Sequence, residues 1–198
     1  MPHFINLYFS HYFKKPDIRF MQTVKIKDKE FSLSIKAEDI HNAVCSVAEK
    51  IDRELQGKDP LFIVVLNGAF MFASDMFKQL KLQCEISFIK LSSYQGTQTT
   101  ANVKTLIGLS DDIKDRTVVI VEDIVDTGHT IEDIINSLKE KGAAEIKICT
   151  FLFKPNAYQK NIKIDYVAIE IPNDFIVGYG LDYDGYGRNL GDVYKIIP

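Results

Sequence analysis

The sequence is 198 residues long, 46% hydrophobic and 26% charged, enough chain for one domain with a sizeable buried core. Its net charge is -3 and its lysines are scattered, so there is no basic stripe to follow a nucleic-acid backbone. No apolar run approaches the roughly 18 residues that would span a bilayer.

The N-terminal stretch 1–20 (MPHFINLYFSHYFKKPDIRF) is aromatic and basic, but it lacks the continuous apolar segment and small-residue cleavage site of a secretory signal. It is expected to be a poorly ordered extension without chemistry, ahead of a single domain over 21–198. The first regular pattern opens just after Met21, at Thr-Val-Lys-Ile. From Ala37 to Gln56, Ile40, Val44, Val47, Ile51 and Leu55 recur at three- and four-residue steps and Gly57 follows, predicting an amphipathic helix with a stop. Leu61–Leu66 is a continuous apolar run, as expected of a strand buried on both faces of a parallel sheet; it ends in Asn67-Gly68. A second helix is predicted from Ala69 to about Leu80 and a strand from Cys84 to Leu91. The polar, aperiodic stretch from Ser92 to Lys104 reads as a loop.

Another apolar strand is predicted at Thr117–Val121. The helix after it is marked by Ile131, Ile134, Ile135 and Leu138 and closed by Gly142, and Glu145–Phe153 forms the next strand. Alternating strands and helices predict right-handed crossovers and a doubly wound α/β domain. The tail from Tyr166 to Ile197, with Gly-rich turns and no helical period, is expected to fold as an added flap or hood. The three cysteines, Cys45, Cys84 and Cys149, have apolar neighbours and no CxxC spacing; they are expected to be buried free thiols in a reducing cytoplasm. His3, His11 and His41 have no paired ligand spacing.

The stretch with the most chemistry is Val118 to Thr130. An apolar strand runs into adjacent acids, Glu122 and Asp123, and then into an Asp126-Thr127-Gly128-His129-Thr130 turn that opens a helix. Ligands of open α/β sheets sit beyond the carboxyl ends of strands. Backbone N–H groups of residues 127–130, the two threonine hydroxyls and the helix dipole make a phosphate cradle, and the acids suit ribose hydroxyls or a hydrated Mg2+. An Asp-Thr-Gly turn by itself more often only caps a helix. Here the acids, the glycine and both threonines follow one apolar strand within thirteen residues, which favours the phosphate reading.

This segment resembles the phosphoribosyl-pyrophosphate signature of type I phosphoribosyltransferases, and specifically of the hypoxanthine-guanine phosphoribosyltransferases, with a resemblance that runs from about Met21 through most of the chain. It implies a parallel sheet flanked by helices with a small hood, and purine salvage with Mg2+. Hypoxanthine, and guanine as well, would be joined to 5-phosphoribosyl-1-pyrophosphate, giving IMP or GMP and pyrophosphate. By the same resemblance Glu122 and Asp123 bind the ribose 2- and 3-hydroxyls. Asp126 handles the proton near purine N7, and Thr127, Gly128, His129 and Thr130 hold the 5-phosphate. Asn67 and Gly68 belong to the stretch Leu66-Asn67-Gly68-Ala69, which resembles the family's pyrophosphate loop, where a non-proline cis peptide often precedes the second residue. Ser93 and Tyr94 match a pair on a flexible lid. Lys154 matches the contact to the purine 6-oxo group, Phe175 the ring stacked on the base, Ile176 a backbone contact to its edge, and Arg188 the pyrophosphate arginine. Asp182 matches a Mg2+-linked acid, with Glu122 and Asp123 as the other metal candidates. His129 and Asn67 stand where other members often have Lys; backbone groups do most of the binding at both positions.

From the residues alone, Lys154 before Pro155 reads as a solvated strand end, Phe175 and Tyr179 as packing, and Asp182 with Arg188 as a surface pair. A non-catalytic regulatory protein that binds phosphorylated ribose is the competing reading, and xanthine a competing base. Adenine would turn its 6-amino donor toward the Lys154 ammonium. Small-molecule substrates are the expected partners, without nucleic acid or membrane, in a homodimer or homotetramer.

Overall fold

The computed structural model describes residues 22–93, 104–107, 109 and 111–198. The 1–20 extension and Tyr94 lie outside the described residues. In chain order the elements are β1 (Thr23–Ile26), β2 (Lys29–Ile35), α1 (Ala37–Leu55), β3 (Leu61–Leu66), α2 (Phe70–Gln79), β4 (Glu85–Ser93), β5 (Lys104–Ile107), β6 (Thr117–Val125), α3 (His129–Glu140), β7 (Glu145–Phe153), β8 (Tyr166–Glu170), β9 (Ile176–Val177) and β10 (Val193–Ile196).

The larger sheet runs β5-β4-β3-β6-β7-β8, parallel throughout except for β5, which returns antiparallel to β4. Period-two alternation divides its central strands between two cores. Phe62 and Val64 of β3 and Val119 and Val121 of β6 join α1 and α2 on one face. Leu61, Ile63, Val118 and Ile120 join Ile131, Ile134, Ile135 and Leu138 of α3 on the other. The apolar run at Leu61–Val65 is thus buried on both faces, as its lack of alternation predicts. Each fully buried Leu, Ile or Phe here contributes roughly 1.5–3 kcal/mol relative to exposure.

Chain order reverses between β3 and β6: β3 leads outward to β4, and the chain then returns to place β6 on the other side of β3. Such a switch point leaves a crevice at the carboxyl ends of the two strands, because their connections depart in opposite directions. The loop after β3 and the turn after β6 flank it.

Two expectations need correction. The strand predicted at Thr117–Val121 continues to Val125, so Glu122 and Asp123 lie within β6 and the strand does not stop short of them. The tail does not form a hood by itself. Its first strand, β8, extends the larger sheet, while β9 and β10 join the N-terminal hairpin in a four-stranded sheet ordered β1-β2-β10-β9. Local pattern could not reveal this, since strand partnership is set by contacts distant in sequence. Phe31, Val177 and Tyr194, all fully buried, anchor the hood sheet.

All three cysteines are free; Cys149 is buried, but Cys45 and Cys84 are only partly so. Ser92 and Ser93 end β4 and Lys104 begins β5; the rest of the predicted loop lies outside the described residues. No helix among the described residues is long and apolar enough to cross a membrane.

Candidate active site

The crevice at the switch point is a cleft of about 390 Å³ lined by Leu66, Asn67 and Gly68, by Glu122–Gly128, by Thr130 and, from the hood, by Asp182 and Arg188. Residues more than one hundred positions apart meet there. β3 delivers the first wall and β6 the second, and the hood's turns close the third side.

Gly128 has φ +87° and caps α3, whose first turn begins at His129. Only glycine adopts this conformation without cost, and a Cβ here would also overlap the Tyr158 ring and lie 2.9 Å from Lys160 Cγ. The strap behind the turn consists of residues 154–162. Gln159 N–H donates to the Thr127 carbonyl at 3.2 Å, and Lys160 Nζ pairs with Glu132 in the first turn of α3 at 2.6 Å. Tyr158 donates to the Ile162 carbonyl at 2.7 Å. This buttress was not legible beforehand; a ring two residues before a lysine carries no signal of what it packs against. With the turn braced from behind, the first N–H groups of α3 face the cleft, where an anion is favoured by them and by the helix dipole. Thr127 and Thr130 line that cleft or its rim, whereas His129 is exposed and outside the lining.

Across the cleft the Leu66–Asn67 peptide bond is cis, as the resemblance anticipates. Gly68 is buried directly against Asp123: a Cβ on Gly68 would overlap the Asp123 carboxyl group. Asp123 Oδ1 accepts from the Ile124 N–H at 2.7 Å. Burial pushes its carboxyl up to about 6 from an ordinary 3.8; the Ile124 N–H and the Arg188 charge oppose the rise, and nearby Asp182 adds to it. Glu122 is buried, 5% exposed.

Asp126 sits at the mouth with its side chain 46% exposed and accepts a hydrogen bond from Lys154 Nζ at 2.9 Å. Lys154 is buried, not a solvated strand end; its N–H donates to the Val125 carbonyl at 3.0 Å, locking it beside β6. In the hood, Arg188 donates to the Gly180 carbonyl at 2.7 Å and forms an ion pair with Asp182, which in turn accepts from the Gly185 N–H at 2.6 Å. Phe175 is 47% exposed, its ring 6.3 Å from Phe31 and perpendicular to Tyr183 at 6.0 Å. Ile176, just after it, is buried in β9, an edge strand of the hood sheet.

The structure therefore brings together Asn67, Gly68, Glu122, Asp123, Asp126, Thr127, Gly128, Thr130, Asp182 and Arg188 in one cleft, with Lys154 bonded to its rim. Phe175 and Ile176 do not line that cleft, nor does His129. Among the described residues, no three His, Cys, Asp or Glu side chains converge to hold a metal ion, so Glu122, Asp123 and Asp182 do not form a protein-only cage. Small, strongly hydrated Mg2+ does not require one; it is usually held by one or two carboxylates, waters and substrate phosphates.

Residues 35–184 match the phosphoribosyl transferase domain. The chain is 38% identical over 176 residues to the hypoxanthine phosphoribosyltransferase of Haemophilus influenzae, covering 87% of this chain and 98% of that one. It is equally 38% identical, over 174 residues, to the hypoxanthine-guanine phosphoribosyltransferase of Mycobacterium tuberculosis H37Rv, covering 84% and 86% of the two chains. Among solved structures, a hypoxanthine phosphoribosyltransferase from Staphylococcus aureus superposes with a TM-score of 0.77 at 34% identity, covering 84% of this chain and 91% of that one. One from Trypanosoma cruzi superposes with a TM-score of 0.78 at 31% identity, covering 84% and 95%. With the switch-point cleft and its Asp126–Thr130 turn in place, these likenesses make the chain a member of the phosphoribosyltransferase family, in its hypoxanthine-guanine branch.

Proposed function

We propose that the chain is a purine-salvage enzyme that transfers the phosphoribosyl group of 5-phosphoribosyl-1-pyrophosphate to hypoxanthine, and to guanine, releasing pyrophosphate. The observation that carries this reading is the Lys154–Asp126 pair at the mouth of a cleft already equipped for a phosphate. A 6-oxopurine presents an acceptor, O6, and a protonatable nitrogen, N7, along one edge. An ammonium beside a carboxylate matches that edge: Lys154 has further protons to donate to O6, and Asp126 can take the proton from N7 as the new C–N bond forms. Adenine would place a donor against the ammonium, where Lys154 would find no acceptor on the base.

The remaining roles follow the walls. Thr127–Thr130 hold the 5-phosphate on the α3 N-terminus, and Glu122 and Asp123 take the ribose hydroxyls. Asn67 and Gly68 offer backbone to the pyrophosphate, and Arg188, oriented by Asp182 and the Gly180 carbonyl, neutralises charge growing on the leaving group. Phe175 supplies an exposed aromatic face for the base, worth about 1–3 kcal/mol when stacked, and Ile176 its backbone. Mg2+ fits beside Asp123 and Asp182; when bound it would supply charge neutralisation on the diphosphate. Ser93 and Tyr94 keep their assignment to a lid by resemblance alone. We also propose a cytoplasmic enzyme, in keeping with the free cysteines, and a homodimer or homotetramer, in keeping with the exposed Ile86 and Phe88 side by side on β4.

The test is pyrophosphate release from phosphoribosyl pyrophosphate and Mg2+ with hypoxanthine, guanine, xanthine and adenine in turn, in wild type and Lys154→Ala. Turnover of the first two, rejection of adenine, and a raised KM for the oxopurines in the variant are expected. Efficient adenine turnover would remove the Lys154 assignment. Tight phosphoribosyl-pyrophosphate binding without turnover of any base would favour a regulatory protein.

A further inference from the structure

Three consecutive residues of the hood, Gly178, Tyr179 and Gly180, have positive φ (+103°, +46° and +100°). The glycines are required by their surroundings. A Cβ on Gly178 would overlap the Asp192 carbonyl, and one on Gly180 would overlap the Gly68 carbonyl oxygen and lie 3.2 Å from its carbon. Tyr179 is different, since a side chain in the left-handed region persists only where surrounding contacts hold it. Those contacts are visible. Tyr179 is 4% exposed, its ring centroid lies 4.8 Å from that of Phe151, and its hydroxyl donates to Asp75 Oδ2 at 2.8 Å. Its N–H donates to the Leu190 carbonyl at 2.8 Å.

Asp75 is on α2, whose hydrogen bonding reaches back into the pyrophosphate loop: Ala73 N–H donates to the Ala69 carbonyl at 2.9 Å, and Ala69 N–H to Val65 at 3.3 Å. On the other side of Tyr179, Gly180 exchanges two bonds with Arg188, donating its N–H to the Arg188 carbonyl at 3.0 Å and accepting from the guanidinium at 2.7 Å. The hydroxyl therefore ties the segment that aims Arg188 to the helix that follows the Gly68 loop.

We infer that Tyr179 is a positioning residue for the pyrophosphate subsite: its hydrogen bond to Asp75 presses the hood turn on Gly68 and fixes the spacing between the Gly68 backbone and Arg188. This rests on the proposed pyrophosphate roles of those two residues. The purine side does not depend on the hydroxyl, because β9 is held by its ladder to β10, Phe175 by Phe31 and Tyr183, and Lys154 by β6.

The experiment compares Tyr179→Phe, Asp75→Ala, Asp75→Asn and Arg188→Lys by steady-state kinetics, by calorimetric binding of pyrophosphate with Mg2+, and by thermal melting. Tyr179→Phe should raise the KM for phosphoribosyl pyrophosphate and the Kd for pyrophosphate about three- to tenfold, the range expected for one lost hydrogen bond to a charged group seen through a neighbour. The KM for hypoxanthine should stay within about twofold and kcat should not fall. Asp75→Ala should reproduce this, and Asp75→Asn, which keeps an acceptor oxygen, should restore most of it. Equal rises in both KM values, or a lowered melting temperature with an unchanged pyrophosphate Kd, would overturn the inference while a loss of pyrophosphate binding in Arg188→Lys left the subsite reading standing. Unchanged pyrophosphate binding in Arg188→Lys would instead overturn the subsite reading, and the inference with it.

Discussion

Replacing Gly68 with alanine tests the closest approach in the cleft. The added methyl would overlap the Asp123 carboxyl and lie 3.1 Å from its Cβ, so repulsion is directed at a side chain with little room to turn. The loop cannot simply withdraw, because the Gly68 carbonyl is already pressed by Gly180. The carboxyl must then rotate and give up the 2.7 Å bond from Ile124 N–H. Overpacking typically costs about 1–3 kcal/mol and a hydrogen bond to a charged acceptor about 1.5–3 kcal/mol; since the two are not independent, about 2–4 kcal/mol is expected. For a domain of this size that corresponds to a fall in melting temperature of about 4–16 °C. Displacement of Asp123 should also raise the KM for phosphoribosyl pyrophosphate at least about tenfold, since about 1.4 kcal/mol of lost ribose contact suffices. Thermal melts and initial rates measure both. The causal step is isolated by a double-mutant cycle: in an Asp123→Ala background the methyl has space, and Gly68→Ala should cost less than about 1 kcal/mol. If its cost were the same in both backgrounds, the Asp123 contact would not be its origin.

Asp126→Asn keeps shape and an acceptor but cannot take a proton; kcat should fall about 10²- to 10⁴-fold with binding of phosphoribosyl pyrophosphate little changed, measured by steady-state kinetics and direct titration. Loss of affinity at unchanged kcat would make Asp126 a ribose or metal contact. Asp123, at about 6 in the folded chain against 3.8 ordinarily, favours the folded state fully below pH 3.8, and that contribution disappears as pH rises through 6. Metal- and ligand-free protein should therefore lose up to about 3 kcal/mol across that window. Asp123→Asn should flatten the dependence and melt higher than wild type at neutral pH; a lower melting temperature there would refute the sign. A chain starting at Met21 should keep full activity and nearly full stability, and a large loss of either would give residues 1–20 a structural role.

The parallel sheet and the strand-to-helix turn beside the cleft were legible because their signals are local. Leu61–Leu66 and Thr117–Val121 lack alternation because both faces of a central strand are covered, and Asp126 to Thr130 place carboxylate, glycine and hydroxyls ahead of an amphipathic helix. The roles proposed for Lys154, Phe175, Ile176, Asp182 and Arg188 come only from resemblance, since each residue in isolation reads as a strand end, packing or a surface pair. The tertiary structure decided what depends on long-range contact. The hood takes two strands from each end of the described chain, and Lys154 is buried against Asp126 twenty-eight positions away. Gly68 meets Asp123 and Gly180. Tyr179 packs on Phe151, as an aromatic in the tail is expected to, but its hydroxyl also bonds Asp75 across 104 positions. Periodicity reports which face of an element is buried, but it contains no information about which distant element will cover that face. That choice is made by the packing of the whole chain, and it is what turns separate loops into one cleft.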